Sequence, residues 1–370
     1  MNPLDLKAHF PETDLDAWIR AIVRDLDLDD LSEAAWGPSG GPEALPLYRK
    51  VAPRPSGATP SWRLAEVLRA GTAGRAAELH AASDADEVIL EVGPHHSPDV
   101  AAERFPGTVW DRGGRPGAGR MADPVSVRLD PALNPASGEP TFHGSPLLLD
   151  LTPWDAAGAP LRYRVAAAFA VLSEQLAAKA ETTVVRVIVP AGTEFFPVVA
   201  MLRAVRVGCE RVLEAFSTSA RLELMAITAE SSLTETDPYG NLLRATSSAV
   251  ASVVGGADLL GVLPYDYLAG GSDRGYRLAR NIGHLLRHEA LLSKTSDPAQ
   301  GAHYVEALTE ELGRSAWALF QAWEASGGIA ANLPGIREEV NRFAAGERER
   351  VESGARVIVG VNRFREEVPQ

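Results

Sequence analysis

Cysteine is almost missing from this 370-residue chain, which holds one, Cys209. A lone thiol excludes an internal disulfide and agrees with a reducing, cytoplasmic compartment. Cationic charge is also scarce. Lys and Arg number 36 against 49 Asp and Glu, a net charge of −13. A surface this acidic repels phosphate backbones, so nucleic acid is not the expected partner. No apolar run approaches the ~18 residues of a membrane helix, and no membrane span is expected. The opening MNPLDLKAHFPETD lacks the basic start and apolar centre of a secretory signal. The chain also has no CxxC, HExxH, P-loop or dinucleotide glycine fingerprint.

What is present is an alternation of helical and strand patterns. The clearest unit runs from Asp237 to Asp266. Asp237 and Pro238 suit the start of a helix. Leu242, Leu243, Val250, Val253 and Val254 share one side of a 3.6-residue period, and Gly255-Gly256 stops it. Leu259 to Leu263 then reads as a strand buried on both faces, ending in the polar tip Pro264-Tyr265-Asp266. Upstream, strands are expected over Glu87–Val92, Val125–Leu129, Leu147–Leu151, Thr183–Val189 and Leu222–Thr228. Helices are expected over Trp62–Ala82, Arg162–Lys179 and Glu194–Phe216. Downstream come helices over Arg274–Lys294, 303–325 and 334–353, and a short strand over Val357–Val361. Phe105 to Pro124 is rich in glycine and proline and reads as a long loop. With close to eight strands and no linker splitting the pattern, the expected class is α/β, a (β/α)8 TIM barrel with an N-terminal helical arm.

The arm occupies residues 1–50, with Thr13 as the expected cap of its helix. Leu15, Trp18, Ile19, Ile22, Val23 and Leu26 form an amphipathic stripe that must dock, either on the chain's own barrel or on another subunit. The barrel is placed at 51–364 and a tail at 365–370.

Several residue groups are candidate sites. His284 and His288 sit four apart on a helix, a metal-capable spacing, but a third ligand must come from elsewhere and a solvent-facing stripe is the plainer reading. His95-His96 follows a strand at the end where barrel enzymes keep their sites, though a functionless loop pair is the better expectation. Cys209 shares a helix with Met201, Leu202, Val205 and Val212 and reads as a buried structural thiol. Gly113 to Gly119 (GGRPGAG) could approach a phosphate, but it opens no clear helix, and loop flexibility explains it better. Tyr265, Asp266 and Tyr267 follow a barrel strand directly and could touch a ligand, cap the next helix or face a subunit. Arg244 reads as a structural ion-pair partner.

The stretch TETDPYGN (Thr234 to Asn241), continued by LLRATSSAVASVVGGADLL, resembles the adenosylcobalamin-dependent acyl-CoA mutases, of which methylmalonyl-CoA mutase is the best-known member. The resemblance extends through Arg274 to Gly328, ends in ESGARVIVGVNRF (Glu352 to Phe364), and includes EFFPVVAMLRAVR (Glu194 to Arg206). The segments DLDAWIRAIVRDL and ALPLYRK resemble the opening of the family's non-catalytic subunit.

The resemblance implies a radical carbon-skeleton rearrangement that needs adenosylcobalamin. It also implies parts that this sequence lacks. The cobalt-ligating D-x-H-x-x-G motif is nowhere in the 370 residues. The segment PRPSGATPSWRLAEVL, matching the one that leads into the family's first barrel strand, has no tyrosine. LTPWDAAGAP (Leu151 to Pro160) has no histidine where the family has a G-Y-H-type turn, and the T-I-Q-N-D segment is absent. The expectation is a non-catalytic small (beta) subunit of a heterodimeric methylmalonyl-CoA mutase, with no catalytic residue and no bound metal or cofactor of its own. Adenosylcobalamin is expected in the catalytic large subunit. Trp18, Ile19, Ile22 and Val23 are the expected partner interface, with a homodimer as the form open to the isolated chain. Two alternatives stand beside it. One is a barrel subunit that works with a separate cobalamin-binding protein. The other is a homodimeric acyl-CoA-binding or scaffold relative without mutase activity.

Overall fold

The computed structural model describes residues 14–35, 40, 62–69, 84–92, 108–111, 147–178 and 182–365. Its centre is a sheet of seven strands: β1 (Arg63–Arg69), β2 (Glu87–Val92), β3 (Thr108–Asp111), β4 (Leu147–Asp150), β5 (Val184–Ala191), β6 (Arg221–Thr228) and β7 (Leu259–Gly261). Their order is β3-β2-β1-β7-β6-β5-β4, and every pairing is parallel. Strands adjacent in the chain are adjacent in the sheet, apart from β3 and β4, and the first strand pairs with the last. That is the cyclic order of an α/β barrel. Residues 112–146, which join β3 to β4, lie outside the described residues, as does the expected strand Val125–Leu129.

The sheet curls on itself. In a flat sheet β2 and β5, four places apart, would stand about 19 Å from each other. Arg186 of β5 nevertheless reaches Glu87 of β2, with Nη2 3.2 Å from Oε2. The strands therefore have a concave interior and a convex exterior. Alternation assigns their side chains. Ala65, Val67, Ile188, Met225, Ile227 and Leu259 point inward and form one apolar cluster. Val185, Val187, Val189, Leu222, Leu224 and Ala226 point outward into the main core under the helices.

Around the exterior run α2 (Thr152–Ala156), α3 (Leu161–Ala177), α4 (Phe195–Ala215), α5 (Gly240–Val254), α6 (Asp273–His288), α7 (His303–Ala325) and α8 (Gly328–Glu352). Helix α3 is buried nearly all round, including Ala166, Ala167, Ala168 and Ala170. It lies against α4 and is covered by α7 and α8, so it has no polar face to present. None of the described helices is long and apolar enough to cross a membrane.

Four expectations are corrected. The Ala, Leu, Glu and Arg of Trp62–Ala82 favour the helix expected there, yet, with 70–82 outside the described residues, Arg63–Arg69 is strand β1. Its neighbours β2 and β7 satisfy its backbone on both edges, and Trp62 and Leu64 pack outward while Ala65 and Val67 pack inward. Tertiary pairing outweighs a propensity of tenths of a kcal/mol per residue. Residues 108–111, expected inside a long loop, form β3. Val357–Val361 makes no sheet strand. It is a turn held by Asn362, whose Oδ1 accepts from Ile358 N at 2.7 Å and whose Nδ2 donates to Val351 O and Arg356 O. In the arm, α1 (Leu15–Asp25) is capped not by Thr13 but by Asp14, whose Oδ1 accepts from Ala17 N at 2.6 Å.

Candidate functional site

In a barrel the C-terminal ends of the strands form the face where enzymes hold their chemistry. Here that face is built from the exits of β6 and β7. Thr228 ends β6, and its Oγ1 accepts from Leu263 N at 3.2 Å, tying the two exits together. The loop after β7 then carries Tyr265, Asp266 and Tyr267. Tyr267 is 0% exposed and packs with Leu233, Leu263 and the inward residues Met225 and Leu259. Asp266 accepts from Ser272 N at 3.0 Å and from the Ser272 hydroxyl, and Ser272 Oγ in turn accepts from Gly275 N to cap α6. Asp266 itself caps no helix; it holds in place Ser272, which does. Tyr265 is half-buried and stacks on Tyr239, ring centroids 5.4 Å apart.

The motif TETDPYGN sits beside this loop as a clamp. Asn241, 1% exposed, accepts from Thr234 N at 3.0 Å and donates to Thr234 O at 2.8 Å and Tyr265 O at 3.0 Å. Thr236 Oγ1 donates to Gly360 O at 3.2 Å, and Arg244 donates to Asn241 Oδ1 and Val359 O. Arg244 thus holds an amide and a carbonyl rather than the ion pair expected of it. Asp237 accepts from Gly240 N within a turn, and α5 begins at Gly240, later than the sequence pattern placed it. Of the apolar stripe expected on α5, Val253 is buried and Leu242, Val250 and Val254 pack against the core, while Leu243 is exposed; the helix also buries Asn241, Ala245, Ser248, Ala249, Ala251 and Ser252. Small residues there let α5 approach the sheet closely.

The opposite, N-terminal end holds a charged cluster that the sequence reading missed. Arg186 donates to both Glu87 and Glu223, with Nη2 2.9 Å from Glu223 Oε2. Arg63 spans the same two carboxylates, at 2.7 Å from Glu223 and 3.2 Å from Glu87. Arg221 adds a contact to Glu223 at 2.6 Å. Burial alone raises the Glu223 carboxyl, but the hydrogen bonds from Arg186 and the charges of Arg186, Arg63 and Arg221 outweigh it and hold the pKa below the ordinary range. Burial likewise works against the Arg186 charge, and Glu87 and Glu223 reverse it, raising the guanidinium pKa. The signal was present: Arg186 in VVRVIV and Glu223 in RLELMAI interrupt strands that are otherwise apolar. Beside Arg63 and Arg221 lies a recess of about 650 Å³ whose lining also includes Trp62, Asp86, Asp258 and Arg287.

The remaining candidates are scattered. His284 Nε2 lies 3.3 Å from Asp84 Oδ2, and His288 stacks on His284 at 6.0 Å. Among the described residues no group of three His, Cys, Asp or Glu could hold a metal ion. Cys209 is fully buried in the main core, and burial pushes its thiol pKa far up. His95-His96 and Gly113–Gly119 lie outside the described residues. On α1, Trp18, Ile19, Ile22 and Val23 share one half-buried face, and no residue of the helix is fully buried.

The family model described as methylmalonyl-CoA mutase matches residues 167–370. A methylmalonyl-CoA mutase of Rhizobium meliloti is 36% identical over 188 residues, 48% of this chain and 26% of that protein. A methylmalonyl-CoA mutase small subunit of Streptomyces virginiae is 39% identical over 176 residues, 46% of this chain and 28% of that subunit. A small subunit of the same name from Porphyromonas gingivalis is 30% identical over 181 residues, 47% and 29% of the two chains. The match thus spans about a quarter of the length of these relatives.

Proposed function

The chain belongs to the methylmalonyl-CoA mutase family, and from that premise we propose that it is a non-catalytic small subunit, partner to a catalytic large subunit that interconverts methylmalonyl-CoA and succinyl-CoA. The observation that carries this reading is the packing at the C-terminal end of the barrel. Where an active barrel would leave room for a reacting group, Tyr267 is fully buried over Met225, Leu259 and Leu263. Asp266 and Thr228 are engaged in local bonds that hold loops and helix starts. Relatives named as large and as small subunits favour a two-chain enzyme.

Adenosylcobalamin does not fit the described residues. The described histidines nearest a cluster, His284 and His288, stand beside Asp84 at the start of β2, the opposite end from the mouth. We therefore assign the cofactor to the partner and derive no chemical step through this chain. The role left to it is thermodynamic: a subunit that binds only the folded partner stabilises that partner by mass action. The amphipathic face of α1 supplies apolar area for that contact.

The test is co-expression with a catalytic mutase chain of the same source, followed by light scattering and an activity assay. A one-to-one complex, with turnover unchanged by substitutions at Tyr265 and Asp266, is the expected result. A chain that stays apart from the catalytic chain would overturn the reading.

A further inference from the structure

We draw no further inference here: the strongest candidate, the recess beside the starts of β1, β6 and β7 into which Arg63, Arg221 and Arg287 face, carries nothing, because each of these arginines is already bonded to a carboxylate of Glu87, Glu223 or Asp86 and nothing in the structure shows what binds there.

Discussion

Glu223 is held ionised by three arginines while buried on an inward strand position. A carboxyl whose folded pKa lies below its unfolded value contributes stability that is present above the unfolded value, about 4.3. That contribution is lost as pH falls through the folded value. Acid titration of the unfolding free energy should therefore show a loss below about pH 4, and Glu223→Gln should flatten that limb. At neutral pH the same substitution leaves Arg186 short of a counter-charge and should cost about 3–5 kcal/mol in urea unfolding. Asn241 serves a neutral network. Asn241→Ala unpairs Thr234 N, Thr234 O and Tyr265 O, and a loss of about 1–3 kcal/mol per stranded group is expected in the same measurement. Cys209 should stay unmodified by an aromatic disulfide reagent in the native protein and react only on unfolding, because the thiolate is the reactive form and burial suppresses it.

Elements meet here through small residues as much as through large ones. A Cβ at Gly208 of α4 would overlap the ring of Phe169 on α3. Gly208→Ala should destabilise the chain by about 1–3 kcal/mol through overpacking, read as a lower melting temperature. The turn at residues 357–363 illustrates how an apolar β-branched run fails to become a strand. Among the described residues it pairs with no strand of the sheet, and Asn362, Thr236 and Arg244 satisfy its carbonyl and amide groups instead. The motif Thr234 to Asn241 therefore works as a fastener for that turn and for the loop after β7.

At the scale of the molecule, α1 is the outlier. Its stripe is strongly amphipathic, yet no residue in it is fully buried and Leu26 is 57% exposed. Under the proposed function this half-covered apolar face meets the catalytic chain. Trp18→Asp should leave the melting temperature of the isolated chain nearly unchanged and weaken its complex with the catalytic chain in a pull-down titration. Equal loss of stability in the isolated chain would assign the arm to this barrel instead.

Composition and periodicity were enough to determine an α/β chain of alternating strands and helices, the positions of β2, β4, β5, β6 and β7, and the buried, inert state of Cys209. These are local properties: period 2 against period 3.6, and an apolar run bounded by glycine. Motif resemblance added the family. Neither could identify β1, because RLAEVLR carries helix-forming residues and becomes a strand only when β2 and β7 flank it. Nor could they pair Arg186 with Glu87, since 99 residues separate the two in the chain. That contact exists because a parallel sheet twists and curls, carrying β5 round to face β2. The curl of the sheet, a property of no single segment, decided which charged residues meet on its concave side.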